Sequence, residues 1–153
     1  MRDFRDLLVR TNRFMRELKG STALLSDDIL LRKGMDGFYP LETLTPGVRL
    51  SIQGSNFTYC TPREGNIPAA KYTHMEVAII AADGAFVGIE HFPELQYINP
   101  VGYGRLLMNF SNTLGHDVYP YVEVEHIQEL CDALGVTGRY LDYEGNSFGE
   151  VLD

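Results

Sequence analysis

The sequence contains no tryptophan, only two cysteines and few basic residues, and each shortage argues against a class of protein. Two cysteines, Cys60 and Cys131, cannot form a disulfide scaffold, so we expect free thiols in a reducing cytoplasm. No apolar run reaches the roughly 18 residues that a transmembrane helix needs, so we expect no transmembrane helix. The apolar side of the N-terminal segment is short and modest, and we predict no membrane partner. The first 20 residues hold five arginines and no apolar segment, which argues against a secretory signal.

Acidic residues outnumber basic residues, and they are unevenly distributed. The 153 residues include 13 basic and 21 acidic side chains, a net charge of −8. A general nucleic-acid binder of this size is normally basic, so we expect no direct binding to nucleic acid. Residues 1–19 carry six basic and three acidic groups, a sum of +3, whereas residues 20–153 carry seven basic and 18 acidic groups, a sum of −11. The basic segment either packs against the acidic remainder or leaves an acidic surface for a basic partner.

Two segments have the apolar spacing of an amphipathic helix. Residues 3–19 place Phe4, Leu7 and Leu8 on one side with arginines opposite, and Gly20 predicts the end of that helix. Residues 123–134 repeat apolar side chains at helical spacing, and Gly135 predicts the end of this second helix. The apolar positions of the second helix are Ile127, Leu130, Cys131 and Leu134.

The middle of the chain has the pattern of β-strands. In residues 47–60, Leu50 and Ile52 alternate with polar residues, and the alternation slips at Gly54, which predicts a β-bulge there. Residues 75–90 predict a hairpin around Asp83-Gly84, a pair typical of a two-residue type I′ turn. Since there is no internal repeat or linker, we expect one domain over residues 1–153. The predicted fold class is α+β, a mainly antiparallel sheet with an N-terminal and a C-terminal helix packed on it.

Reactive side chains near the predicted hairpin suggest one candidate pocket. Cys60 ends the predicted strand close to Arg63, where a thiolate could act as a nucleophile with His74 or His91 as its base. Arg63 could hold an anion such as a nucleotide phosphate. The alternative is that Cys60 is simply a small buried hydrophobic residue.

Other catalytic chemistry finds little support in the sequence. No P-loop, dinucleotide-binding, nucleophile-elbow or zinc-protease motif is present. None of the four histidines lies two or four residues from another, and we predict no metal site and no cofactor. A two-residue turn at Asp83-Gly84 would place Glu76 opposite His91, either as a stabilising charge pair or as part of a metal or acid–base site.

The acidic end of the chain is the first candidate for a binding surface. Residues 107–153 contain nine acids and a single base, Arg139. Tyrosines lie among these acids, and tyrosine supplies apolar area together with a hydroxyl group at recognition surfaces. The predicted partner-binding residues are Glu123, Glu125, Glu129, Asp132, Tyr140, Asp142, Tyr143 and Glu144.

Two parts of the chain carry a recognisable pattern. The first reads Ser51-x-Gln53-x-Ser55-x-Phe57-x-Tyr59-Cys60-x-Pro62-Arg63 and continues as Tyr72-x-x-Met75-Glu76-Val77-Ala78-Ile79, and the second reads Tyr121-Val122-Glu123-Val124-Glu125. Both resemble segments of small uncharacterised bacteriophage proteins, over residues 47–80 and 118–135 but not over the basic segment 2–19. The resemblance implies a phage or mobile-element origin and a bacterial host cytoplasm. Small acidic phage proteins of this kind are often inhibitors of host machinery, anti-CRISPR and other anti-defence factors among them.

These observations together favour a binding protein over an enzyme. We expect a non-enzymatic inhibitor that occludes a basic, nucleic-acid-binding surface of a host defence protein, such as a CRISPR effector. The alternative is a nucleotide-binding protein or hydrolase that uses the Cys60, Arg63 and His74 pocket. Whether the chain forms a homodimer stays open.

Overall fold

Seven strands form one antiparallel sheet in the part of the chain that the computed structural model describes, which is residues 3–9, 37–55, 58–65, 67–111, 118–141 and 147–148. The strands follow the order β4-β3-β2-β1-β6-β7. Strand β5 also pairs with β3, on the side of β3 that faces β4 and not β2. The α+β class with an antiparallel sheet is therefore confirmed. The strand bounds are β1 Leu41–Thr43, β2 Arg49–Gln53, β3 His74–Ile80, β4 Phe86–Val87, β5 Tyr119–Glu123, β6 Val136–Leu141 and β7 Ser147–Phe148.

Strand β2 shows the predicted alternation but ends earlier than predicted. Leu50 and Ile52 are fully buried, while the polar residues between them lie on the other face. The strand stops at Gln53, so the predicted β-bulge at Gly54 is wrong. The ring of Tyr72 lies against Gly54, just after the end of the strand, where an added Cβ would come within 2.6 Å of the ring.

The hairpin between β3 and β4 has a three-residue loop instead of the predicted two-residue turn. Ile79 pairs with Val87, and the Ala81 N–H donates to the Ala85 carbonyl at 2.9 Å. Gly84 (φ +86°) alone in this loop has a positive φ, whereas a type I′ turn requires two such residues. One extra loop residue shifts the register by one.

The register shift and the short length of β4 make the predicted Glu76–His91 pair wrong. Glu76 lies opposite Gln53 of β2, and β4 ends at Val87. His91 lies beyond it, in a 3-10 helix over Ile89–His91.

Three α-helices lie among the described residues: α1 Leu95–Ile98, α2 Pro100–Phe110 and α3 Val124–Leu134. Helix α3 confirms the second predicted helix, including its four buried positions and the left-handed Gly135 (φ +71°) that ends it. It contacts α2, β3 and β5. None of the helices in this part of the chain is long and apolar enough to cross a membrane.

The N-terminal helix predicted over residues 3–19 is wrong in its described part. A single 3-10 turn covers Phe4–Leu7, and Leu8 is extended. The Val9 carbonyl accepts the Tyr39 N–H at 3.1 Å, so the backbone pairs with a distant segment instead of continuing a helix. Residues 10–19 lie outside the described residues. Phe4 and Leu7 are nevertheless buried in the core, with Tyr72 and Ile127.

Candidate protein-binding surface

Helices α1 and α2 expose four large apolar side chains, which we call the apolar patch. The exposed fractions are 82% for Tyr97, 79% for Ile98, 75% for Val101 and 87% for Met108. Val101 and Met108 are seven residues apart, so they lie on one side of α2, two turns from each other. Isolated exposed apolar residues need no explanation, but a group of them on adjoining elements is typical of an interaction site.

The local sequence explains where α2 begins and which of its sides is buried. Asn99 caps the helix by accepting the Gly102 N–H at 3.0 Å, and Pro100 occupies the first turn, where its missing N–H costs nothing. Gly102 lies against the Asn99 amide, at a position where an added Cβ would come within 2.6 Å of it. The buried side of α2 consists of Gly102, Tyr103, Leu106 and Phe110, which face the core and leave Val101 and Met108 in solvent.

A groove of about 360 Å³ separates α2 from α3 beside the apolar patch. Ile98 of the patch forms part of its lining, so the patch and the groove are continuous. The opposite wall includes two carboxylates of α3, Glu129 and Asp132, which we call the acidic wall. The surface therefore offers exposed apolar side chains next to negative charge.

Helix α3 aligns three of the predicted partner-binding acids. Glu125, Glu129 and Asp132 are spaced by four and three residues and so share one helix side. Asp132 accepts a hydrogen bond from Gln128 at 3.2 Å and has no ion pair among the described residues. Glu123 is exposed at the start of the helix, where it is the N-cap residue.

The remaining predicted partner-binding residues lie elsewhere. Tyr140 is half-buried in β6, where it pairs with Leu41 and packs against the core. Asp142, Tyr143 and Glu144 lie outside the described residues. The structure thus brings Glu129 and Asp132 together with the apolar patch and does not bring Tyr140 to that surface.

Arg105 places a positive charge beside the acidic wall. Arg105 of α2 reaches across the groove, and its Nε lies 3.3 Å from Oε2 of Glu129. Both side chains remain in contact with solvent, with exposed fractions of 60% and 36%. Residues 107–153 contain a single base, so the pattern of charges along the chain showed no sign of this neighbour. Arg105 precedes that segment and reaches Glu129 because α2 packs against α3.

The residues of the alternative pocket make structural contacts. Cys60 is buried, and its Sγ donates to the Ser55 carbonyl at 3.3 Å. His74 makes its hydrogen bond with Thr73, at 2.9 Å from Nδ1 to Oγ1. No hydrogen bond joins Cys60 to His74 among the described residues. The thiol and the imidazole are therefore engaged separately.

Arg63, Glu76 and His91 also lie apart from the groove. The Arg63 guanidinium lies 5.7 Å from the centre of the Tyr59 ring, and Glu76 accepts the Tyr59 backbone N–H at 2.9 Å. His91 is exposed in its 3-10 helix. Arg63 and Glu76 thus share a neighbour, Tyr59, and hold the loop before β3 in place.

Sequence reasoning missed the apolar patch and Arg105. Residues 91–121 are rich in glycine, proline, asparagine and tyrosine, and this composition obscured an 11-residue helix. The signal was Asn99-Pro100, a capping residue followed by proline, with Val101, Arg105 and Met108 at helical spacing after it. Comparison of the chain with protein-family models, with curated proteins and with solved structures found no match.

Proposed function

We propose that this protein is a binding protein that covers a basic surface on another protein, using the apolar patch and the acidic wall together. The observation that carries the proposal is a set of four exposed large apolar side chains on α1 and α2, one of which, Ile98, lines the same groove as Glu129 and Asp132. The partner chemistry that fits is an amphipathic surface, with apolar side chains for the patch and lysine or arginine for the wall.

The apolar patch would supply most of the affinity. Fully burying a Val, Ile or Met side chain is worth about 1.5–3 kcal/mol, and four such side chains offset much of the entropy lost on association. A few central apolar or aromatic anchors commonly dominate the binding energy of an interface. Tyr97 adds an aromatic ring, the side-chain type most enriched at such positions.

The acidic wall would select the partner. Carboxylates at the rim attract a basic surface during association and repel acidic ones. A second copy of this chain is a poor occupant, because each chain carries a net charge of −8 and would bring its own Glu129 and Asp132 to the contact. Nucleic acid is a poor occupant for the same reason.

Occlusion is the simplest mechanism for such a surface. A protein that covers basic residues competes with whatever acidic ligand those residues normally bind, nucleic acid above all. The resemblance to bacteriophage proteins would make the partner a host protein, and a nucleic-acid-binding defence protein such as a CRISPR effector fits that chemistry.

A synthetic helical peptide provides a direct probe of this surface. We would titrate the full chain with a peptide of about 15 residues, long enough to form a helix on binding, with leucines on one side and lysines on the other. Two control peptides replace every lysine by glutamate or every leucine by serine. We expect measurable binding of the leucine–lysine peptide alone, weakened by added salt because the acidic wall is in contact with solvent.

Matched protein variants locate the binding. Val101→Ser removes an apolar side chain of the apolar patch that is 75% exposed, and Leu44→Ser removes one outside it that is 76% exposed. Asp132→Asn removes a charge from the acidic wall, and Glu64→Gln removes an exposed acid elsewhere. The proposal requires that the first member of each pair weakens binding and the second does not. Equal effects within each pair, or equal binding of all three peptides, would refute it.

A further inference from the structure

The Arg105–Glu129 ion pair spans the groove at the centre of the proposed binding surface. Arg105 lies between Val101 and Met108 on the same side of α2, four residues after one and three before the other. Its guanidinium forms an ion pair with Glu129 of the acidic wall, and both Arg105 and Glu129 line the groove. In the unbound chain, Arg105 thus already partners one of the carboxylates that we propose for binding, Glu129.

We infer that Arg105 is an internal placeholder, which occupies the position that a lysine or arginine of the partner takes when it binds Glu129. This inference rests on the proposed function and adds a rule for the partner. The partner must supply a cation to Glu129 and an apolar group to the space between Ile98 and Leu106, both of which line the groove.

Displacing Arg105 from Glu129 costs little free energy. The contact is a single Nε–Oε2 approach at 3.3 Å between two solvent-exposed side chains, not the bidentate, buried arrangement that makes an arginine–carboxylate pair strong. Released from Glu129, Arg105 reaches solvent with its charge hydrated. No cation has to be displaced from Asp132, since the side-chain hydrogen bond that it makes among the described residues comes from the neutral Gln128.

A placeholder and a structural brace predict opposite results. If Arg105 mainly holds α2 against α3, its removal loosens the surface and weakens binding. If it competes with the partner, its removal frees Glu129 and strengthens binding.

The test measures the affinity of the leucine–lysine peptide for five versions of the full chain, the wild type and four variants. We expect Arg105→Gln to bind about 2–5-fold more tightly than the wild-type chain, the scale of an exposed ion pair. Glu129→Gln should bind about 3–10-fold more weakly, and the Arg105→Gln/Glu129→Gln double variant should be no tighter than Glu129→Gln alone. Lys71→Gln is the control, because it makes the same change in net charge at an exposed site outside the groove.

The outcomes separate this inference from the proposed function. Unchanged or weaker binding by Arg105→Gln, with the wild-type chain binding normally, overturns the placeholder and leaves the binding surface standing. An equal gain from Lys71→Gln also overturns it, because the gain would then come from net charge. Absence of binding by every version refutes both the surface and the placeholder. Melting temperatures of the variants, measured alongside, exclude loss of folding as the cause.

Discussion

Replacement of Gly54 by alanine tests the packing of the Tyr72 ring on Gly54, just after β2. An added Cβ would lie 2.6 Å from Cζ and 2.8 Å from both Cε atoms of Tyr72, distances that force one group to move. The ring has little freedom to do so. Tyr72 is fully buried, Phe38 meets it edge-on at 6.3 Å between ring centres, and its hydroxyl donates to the Glu64 carbonyl.

The expected magnitude follows from two opposing effects. Overpacking a well-filled core costs about 1–3 kcal/mol of the free energy of unfolding. Alanine also restricts the unfolded chain, which returns about 0.4–1 kcal/mol where the backbone angles suit alanine, and Gly54 has no left-handed φ to prevent this. The central values of these two effects, about 2 and about 0.7 kcal/mol, leave a net loss of about 1.3 kcal/mol, which lowers the melting temperature of a chain this size by about 3–5 °C.

Gly104→Ala is the matched control for thermal unfolding followed by circular dichroism. Gly104 lies in α2, and an added Cβ there meets nothing within 4 Å. Alanine should stabilise this helix by about 0.5–1 kcal/mol, so its melting temperature should rise while that of Gly54→Ala falls. A Gly54→Ala protein as stable as the wild-type chain would refute the packing of Tyr72 on Gly54.

Three further predictions concern the surface, the ionisable groups and the thiols. Met108→Ser should change the free energy of unfolding by less than about 0.5 kcal/mol, because the side chain is exposed, yet weaken leucine–lysine peptide binding about 5–30-fold; equal binding would count against the apolar patch. Burial, helped by the charge of Glu90, raises the pKa of Tyr119 to about 12. The folded chain therefore holds this proton more tightly than the unfolded chain, so stability should fall as the pH rises from about 10 towards 12, and less steeply in Tyr119→Phe; equal slopes would contradict this. Cys60 and Cys131 are buried, and burial raises the pKa of the Cys131 thiol, so both should react slowly with a thiol reagent until the chain is unfolded; rapid native labelling of either would contradict this.

The spacing of apolar residues correctly predicted the elements that bury one regular side in the core. The alternation of Leu50 and Ile52 gave β2, and the spacing of Ile127 and Leu130 gave α3, since in each case one side of a regular element faces the core. Gly135 ended α3 as predicted because its left-handed φ suits glycine.

Features set by contacts distant in sequence could not be predicted in this way. The hairpin register depended on a single loop residue, Ala82, which decides between a two-residue and a three-residue loop. At the N-terminus the chain forms a single 3-10 turn, and the Val9 carbonyl then pairs with Tyr39, far along the chain. The binding surface combines two of the acids selected from the sequence with an apolar patch on α1 and α2. The glycines and the proline of α2 obscured its helical pattern. Arg105 joined the acidic wall only through packing of α2 against α3.

The most direct test of the proposed function maps the leucine–lysine peptide onto the folded chain by NMR. We predict that backbone amide shifts change in two segments, residues 95–108 of α1 and α2 and residues 125–133 of α3, which contain the apolar patch and the acidic wall. Changes centred on the loop around Tyr59 and Arg63, or spread evenly over every acidic residue, would contradict the account, because they would show that the peptide follows negative charge or another surface and not this groove.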